Sequence, residues 1–500
     1  MKTITCRDKR LNSALCQFVF PYSIKEDADV DFKKQLLRDG YIPFHLNNLD
    51  QETAYYGEGY KVSHPSMERY YLPFTNEVLF PRRDNPDSFL RFSKAWKLEC
   101  ILHVYDVKIP FRVHSVDLIL CPFNLGFMTI RTELMNDQLT LSKALEFADR
   151  FRVLQDIKIR DESTFLEVDG KVYEETEQFI FQMLVHSVRP YLDQSTMKGA
   201  YFETLPFFVD ERMYVQATYQ LAEGEESEPC DLYRAVNLNG LTERKLPKIN
   251  AGNQAYVEHY LEPITYTRWA PHTYFVTNEH SFCCVTSETE EAAVELANHM
   301  YGQYYYGLLL NLFHKIALLK LSNRYSSVQM EQDNQEIEDL IRDITKFSSK
   351  YFFRELVSQS QGKEIFIQLR TVFGNSELFQ DVKQTLSDLH RYKQNFSSRR
   401  RNYLLMILTI YTVISGIYGM NQVIDDLGKP INWEAMTDYS LFEYIALFVI
   451  MSGIAVAFTL AGNVLYKFAR EKIREYKYDR AWKRRAQSDP EFGFYEEGDD

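Results

Sequence analysis

Two long stretches without charged residues lie near the C-terminal end and constrain the fold more than any other feature. Residues 403–420 (YLLMILTIYTVISGIYGM) and 445–466 (IALFVIMSGIAVAFTLAGNVLY) contain no Asp, Glu, Lys or Arg. A helix that crosses a bilayer needs about 20 predominantly apolar residues. The alternative is a buried helical hairpin of a soluble protein. We predict two transmembrane helices, residues 403–420 and 441–466, joined by a loop over residues 421–440.

The orientation of this hairpin follows from the basic residues around it. Arg399, Arg400 and Arg401 precede the first stretch, and six lysines and arginines lie between positions 467 and 480. The loop between the stretches contains a single basic residue, Lys429. The positive-inside rule therefore predicts a multi-pass plasma-membrane protein with both termini in the cytoplasm, including a basic and then acidic tail over residues 467–500. Residues 1–29 lack the apolar core of a signal peptide, so we expect none.

The pattern before position 288 mixes strands and helices. Strand-like runs with turn residues between them, and one run with helical periodicity, are typical of an α/β domain. The strands are predicted at 111–123, 125–134, 165–173 with a turn at Asp169-Gly170, and 272–286 with a turn at Asn278-Glu279; the helix is predicted at 141–156. We therefore predict a cytosolic α/β domain over residues 1–287.

From residue 288 onward the pattern is helical. Helices are predicted over 288–321 and 328–359, and a third is expected after Gly374, with Asn375 or Ser376 as its N-cap. A helix from Ser376 to Tyr418 is about 65 Å long, enough to enter a bilayer from the cytoplasm. The predicted fold is thus an α+β membrane protein: an α/β domain, a helical stalk over residues 288–402, and two C-terminal transmembrane helices.

One face of the third helix is polar even where the helix is predicted to enter the membrane. Heptad counting places on it Asp388, Asn395, Ser398, Asn402, Leu405, Thr409, Thr412 and Gly416. We call these eight residues the polar stripe. Two helices cannot enclose an ion path, so a pore lined by this stripe requires several subunits, with a ring of Leu405 as a candidate dewetting gate. The alternative is a helix whose polar side chains bond back to its own backbone.

The first stretch ends in Tyr418-Gly419-Met420-Asn421, directly before the loop. This motif, at the outer end of the penultimate span, resembles that of the CorA-type magnesium transporters. The resemblance implies a homopentamer whose first spans line the pore, with Gly419, Met420 and Asn421 as the selectivity filter. A ring of Asn421 amides could bond the waters of a hydrated Mg²⁺, an ion that gives up its waters reluctantly. Mg²⁺ is then the transported ion and a candidate regulatory ion, with no ligand assigned.

Several residues depart from the family pattern or allow two interpretations. Ile410 stands where the family usually has a proline, and the usual acidic-aromatic sequence after the motif is missing. Asp425, Asp426 and Glu434 in the loop either attract cations to the pore entrance or are ordinary solvated charges. The acidic residues between positions 331 and 343 resemble the acidic helices at which family members are thought to bind magnesium between subunits.

The leading functional hypothesis is a CorA-like Mg²⁺ channel driven by the membrane potential. The alternative is a ligand-gated effector pore of a prokaryotic defence or signalling system, in which the large N-terminal domain binds a small molecule. A Zn²⁺ exporter is less favoured because histidine is sparse near the pore. We expect no enzyme activity, since His103, Asp106 and His114 lie in strand-like segments without a nucleophile–base arrangement. The net charge of −13 argues against a nucleic-acid partner.

Overall fold

The computed structural model describes residues 6–135, 138–154, 164–193, 212–327, 334–353, 355–422 and 435–442, and then positions 444–445, 447–448, 451–453, 455, 459 and 466. The chain divides into two compact units, Met1–Leu389 and His390–Asp500. The first unit contains both the predicted α/β domain and most of the predicted stalk. The division into residues 1–287 and 288–402 stays a prediction from sequence.

An 11-stranded mixed sheet forms the framework of the first unit. Its order is β7-β6-β3-β4-β5-β1-β8-β11-β10-β9, with β2 beside β3; β8 and β11 are parallel and the other neighbours are antiparallel. The strands are β1 Leu11–Ser23, β2 Ile42–Pro43, β3 Leu90–Val104, β4 Val107–Cys121, β5 Leu125–Leu134, β6 Thr164–Val168, β7 Lys171–Tyr173, β8 Tyr214–Leu221, β9 Thr265–Ala270, β10 Thr273–Thr277 and β11 Ser281–Thr286.

The hairpins predicted from sequence are confirmed. β4 and β5 are joined through Phe123 and Asn124, which both have positive φ, and β6 and β7 turn at Asp169 and Gly170. Between β10 and β11 the side chain of Asn278 accepts hydrogen bonds from the N–H groups of His280 and Ser281 at 2.8 and 2.9 Å. Turn residues that tolerate φ > 0 or bond their own backbone are the strongest local signals in a sequence, which is why these connections were predictable.

The helices of the first unit cover both faces of the sheet. They are α1 Asp29–Arg38, α2 Gln51–Ala54, α3 His64–Tyr70, α4 Pro73–Leu79, α5 Leu141–Phe151, α6 Thr176–Phe179, α7 Pro229–Val236, α8 Gln254–Leu261, α9 Glu290–Tyr301, α10 Gln303–Ser327, α11 Asn334–Lys350 and α12 Ser360–Val372. Neighbouring residues of β1 show the two faces. Phe18 packs against Phe147 and Phe151 of α5, whereas Gln17 donates to the main-chain oxygen of Met300 in α9 at 3.0 Å. The central strands are thus buried on both sides.

Three predicted helices have wrong bounds: those over 141–156 and 328–359 are too long, and that over 288–321 is interrupted and extends to Ser327. The helix predicted over 288–321 is interrupted at Gly302, which ends α9 with φ −105° and ψ −98° and leads into α10. A Cβ atom at this glycine would lie 2.8 Å from Cγ1 of Val62, so close packing against a distant segment fixes the break. The helix predicted over 328–359 ends at Lys350, and Val357 then pairs with Tyr71 in an isolated β-bridge before α12 begins at Ser360. Residues 328–333 lie outside the described residues.

The last helix is the longest. α13 runs without interruption from Asn375 to Gln422, 48 residues, or about 72 Å at 1.5 Å per residue. Gly374, with φ +62°, precedes it, and the Asn375 amide donates to the main-chain oxygen of Asn311 at 3.0 Å. The helix predicted after Gly374 is confirmed, but its predicted N-cap, Asn375 or Ser376, is wrong. Both residues lie inside the helix, and the first helical bond runs from the N–H of Leu378 to the carbonyl of Gly374 at 3.1 Å. α5, predicted to end at residue 156, ends at Phe151, and residues 155–156 lie outside the described residues.

Candidate functional site

The beginning of α13 has one packed and one exposed face. Val382 and Leu389 are buried, and Phe379 stacks on Phe352 at 3.8 Å between ring centroids. On the polar face, Gln384 donates to a carboxylate oxygen of Asp388 at 3.2 Å, and Asp388 is half-exposed. This separation follows the heptad pattern from which the polar stripe was predicted.

Further along α13 the stripe residues are exposed within the single chain. Asn402, Leu405, Thr409, Thr412 and Gly416 are all exposed, Leu405 to 60%. The hydroxyl of Thr409 donates to the carbonyl of Leu405 at 2.7 Å, and that of Thr412 donates to the carbonyl of Leu408. The threonines therefore satisfy their donors on their own helix, as the alternative interpretation expected, and still present oxygen lone pairs outward.

A positively charged side chain, Arg401, lies beside the polar stripe and bonds to a neighbour on the same helix. A guanidinium nitrogen of Arg401 donates to the hydroxyl of Ser398 at 3.4 Å, and Arg401 is exposed. The side chain of Asn395 lies outside the description. Arg401 is one residue from Asn402, so the two side chains point about 100° apart around the helix.

The two predicted spans contact each other within the second unit. The hydroxyl of Tyr411 donates to that of Ser452 at 3.1 Å, and a Cβ atom at Gly453 would lie 3.9 Å from Cδ1 of Tyr411. In the part of the chain that the structure describes, no helix is both long enough and apolar enough to cross a membrane.

The predicted filter and the loop lie at the edge of the description. α13 continues through Gly419, Met420 and Asn421 to Gln422, but the side chains of these residues are not described. Asp425, Asp426 and Glu434 lie outside the described residues, as do residues 467–500. Their roles stay predictions from sequence.

The acidic residues of α11 make ion pairs within the chain. Asp343 accepts from Arg324 of α10 at 2.6 Å, and Asp339 accepts from Arg342 at 2.7 Å. Glu331 and Asp333 lie outside the described residues. Across the described ranges, no group of three or more His, Cys, Asp or Glu side chains is arranged to hold a metal ion.

A buried charge cluster at the centre of the sheet was missed by the sequence reasoning. Oδ2 of Asp117 in β4 lies 2.9 Å from Nε of Arg91 in β3 and 2.7 Å from Nη1 of Arg131 in β5, and the three side chains are 0–3% exposed. Burial opposes the charge on Arg91, yet the Asp117 carboxylate holds the pKa of the guanidinium well above its usual value. Asp117 and Arg131 each lie among mostly apolar residues in the runs predicted as strands, 111–123 and 125–134, and this was the signal that could have indicated the cluster.

Tyrosines of the helices complete the partners of the cluster. Nη1 of Arg91 donates to the hydroxyl of Tyr306 at 2.9 Å, and Arg131 lies over the rings of Tyr56 and Tyr305 at 5.2 and 5.1 Å from their centroids. The hydroxyl of Ser115 accepts from Arg131 at 3.3 Å and donates to the carbonyl of Tyr55 at 2.7 Å. Helix α10 and the segment after α2 are thereby tied to the middle of the sheet.

An open cavity of about 750 Å³ lies beside this cluster. Its lining comprises Thr53, Ala54, Gly57, Glu58, Gly59, Tyr60, Lys61, Lys97, Glu99, Arg112 and His114. Burial raises the pKa of Tyr60, in this lining, to about 12. The volume falls in the range of ligand pockets, about 300–1,000 Å³.

The three residues considered and set aside as catalytic are engaged in ordinary pairs. Nε2 of His103 lies 2.8 Å from Glu167, Nε2 of His114 lies 2.9 Å from Glu133, and Asp106 lies 3.7 Å from Lys245. Each pair joins different strands or loops of the sheet. Of the three residues, His114 also lines the cavity.

Comparisons with known proteins found a structural similarity but no match in sequence. No protein-family model and no curated protein matches the sequence. Among solved structures, the chain is similar to the complete structure of the CorA magnesium transporter from Methanocaldococcus jannaschii, with a TM-score of 0.16 and 12% identity over 49% of this chain and 90% of that chain. A TM-score of this size does not establish a common fold.

Proposed function

We propose that the chain is a CorA-like channel for Mg²⁺, assembled as a homopentamer in the plasma membrane with both termini in the cytoplasm. The observation that carries the proposal is the position of Gly419-Met420-Asn421 in the last turn of one uninterrupted helix, α13, whose polar stripe leads up to it. Such a helix can line an ion path continuously from a cytoplasmic domain to an outer mouth.

The chemistry of the stripe fits a hydrated divalent ion. Its members are hydroxyls, amides and one carboxylate, with Leu405 as the bulky apolar member of the membrane half. Neutral oxygens at the mouth would hold a hydrated ion weakly enough to release it, and a ring of Leu405 would close the path by excluding water. Asp425, Asp426 and Glu434 would raise the local cation concentration at the entrance.

The test is Mg²⁺ influx into proteoliposomes that contain the purified chain. Influx is expected to fall as internal Mg²⁺ rises and to be lost in Asn421→Ala. Gln422→Ala, which removes the neighbouring amide outside the motif, is the matched control and should conduct like the wild type. Absence of influx at every internal Mg²⁺ concentration, from protein shown to be inserted, contradicts a constitutive Mg²⁺ channel.

A second candidate is a pore opened by a small molecule that binds the first unit. The observation favouring it is the cavity of about 750 Å³ in a unit of 389 residues. In this case the same liposomes would be impermeable until a ligand is added, and permeability would not depend on internal Mg²⁺. Comparing influx before and after addition of candidate ligands distinguishes the two functions.

A further inference from the structure

The cavity lies where the regular sheet is interrupted on two strands at once. In the β3–β4 pairing, Trp96 and Lys97 together oppose His114, and in the β4–β5 pairing His114 is the extra residue between Val113 and Ser115. Lys97 has φ +52°. Bulges re-aim side chains and are frequent beside functional sites. The irregularity thus brings Lys97 and His114 to one cavity wall.

A glycine-containing loop, residues 57–59, also lines the cavity and lies next to His114. Gly57 and Gly59 have φ of +97° and +86°, and a Cβ atom at Gly57 would lie 2.9 Å from Nε2 of His114. The main-chain N–H groups of Gly57, Glu58 and Gly59 make no hydrogen bond within the described part of the chain. Successive N–H groups in such a loop can together bind an anion.

Most charges in the lining are neutralised by a neighbour. Arg112 pairs with Glu99 at 2.8 Å, and Lys61 pairs with Glu52 at 3.1 Å. Lys97 and Glu58 have no ion-pair partner among the described residues. Glu58 is exposed on the loop, and Lys97 is exposed at the bulge. Among the described lining residues, Lys97 is therefore the positively charged side chain that can pair with a ligand.

The buried charge cluster contacts residues that are next in the chain to two residues of the cavity lining. Arg91 and Arg131 share the single carboxylate of Asp117, which leaves one net positive charge in this cluster. This cluster contacts Tyr56 and Ser115, the chain neighbours of Gly57 and His114. Nη2 of Arg131 is buried without a hydrogen-bond partner in the described chain. A charge in the protein interior is screened little by solvent, so the charge of this cluster adds to the positive potential in the cavity.

We propose that this cavity binds a small molecule through a compact anionic group, phosphate or carboxylate, held by Lys97 and the main-chain N–H groups of the 57–59 loop. The remaining volume accommodates the rest of the molecule against Thr53, Tyr60 and His114. A metal cation is disfavoured because the described side chains offer no metal-holding group. The proposal does not depend on ion conduction, since binding is measured without transport.

The experiment is calorimetric titration of the full-length chain in detergent at an ionic strength of about 0.1 M, where the Debye length is about 10 Å. Inorganic pyrophosphate and succinate are the two probes, so that the result also separates phosphate from carboxylate recognition. Saturable binding of at least one probe is expected, and Lys97→Glu should weaken it by about tenfold or more. Glu58→Gln should tighten it severalfold, because an opposing charge on the loop is removed.

Lys108→Glu is the matched control, an exposed lysine on β4 that does not line the cavity. It should bind the probe within about twofold of the wild type, because exposed charges farther apart than the Debye length are largely screened. Unchanged melting temperatures show that the variants are folded. Binding of neither probe, or equal weakening in Lys97→Glu and Lys108→Glu, overturns the proposal.

Discussion

Polar side chains occupy two contrasting places in this protein. In the sheet, Arg91, Asp117 and Arg131 are fully buried, and their partners come from strands and helices of the same chain. Along α13, Thr409 and Thr412 are exposed among exposed apolar residues and bond to their own helix. The first set completes the fold of one chain, whereas the second bonds to its own helix and, in the proposed pore, would meet other subunits and the ion path.

The sharpest test of the buried set is Asp117→Asn. It leaves two buried guanidinium groups without a counter-charge, and breaking such a pair typically costs 3–5 kcal/mol, so we expect a loss of about 4 kcal/mol in the free energy of unfolding. Chemical denaturation of the full chain in detergent measures it. The control is Asp84→Asn, which removes an exposed pair with Lys33 and should cost at most about 1 kcal/mol. If both variants lost only about 1 kcal/mol of their free energy of unfolding, the buried charges would be no more important for the fold than exposed ones.

A buried histidine should make the stability of the first unit pH-dependent. Burial lowers the pKa of His314 to about 3, and its Nε2 lies 2.7 Å from the carbonyl of Tyr351. The unfolded chain binds the proton near pH 6.5, while the folded chain stays neutral. Stability is therefore fully present above about pH 6.5 and is lost as the pH falls towards 3, by at most about 1.4 kcal/mol per pH unit.

His314→Gln keeps a donor for Tyr351 but does not titrate. Between pH 7 and pH 5, the wild type should lose about 2 kcal/mol more of its free energy of unfolding than this variant does. Denaturant titrations of both proteins at each pH give the difference. Parallel pH profiles would show that His314 is accessible to protons in the folded state.

The exposed set should affect transport without affecting the sheet. In Thr409→Val with Thr412→Val, the stripe loses two hydroxyls, and we expect Mg²⁺ influx to fall by about tenfold because the path is harder to wet. The melting temperature of the first unit should not change. Ile407→Val, on the apolar face of the same helix, is the matched control and should conduct normally. A fall in melting temperature with unchanged influx would show that the two threonines stabilise the fold and do not line the ion path.

Of these effects on stability and transport, the contribution of the contact between the two predicted spans to stability should be the smallest. Tyr411→Phe and Ser452→Ala each remove one side of the 3.1 Å hydrogen bond. A double-mutant cycle on thermal stability in detergent should give a coupling of about 0.6 kcal/mol, the usual size for interhelical bonds in membranes. A coupling near zero would indicate that the two hydroxyls bond elsewhere.

The sequence predicted those elements whose signals are local. Asp169-Gly170 and Asn278 specify their turns through their own backbone and side-chain chemistry, and Gly374 marks the start of α13. The helix break at Gly302 was not predictable, because it depends on Val62, which is 240 positions away along the chain. The candidate filter could be located by its motif, whereas the cavity could not, because its walls come from three separate segments.

The paired strands, the uncharged stretches, the polar stripe and the motif at its end could be identified from the sequence. Each depends on neighbouring residues or on a fixed helical period. Only the three-dimensional fold brings Arg91, Asp117 and Arg131 together, and only the fold brings the bulge at Lys97 and the loop at Gly57 to one cavity. Those arrangements depend on strand order and register, which bring residues far apart in sequence into contact.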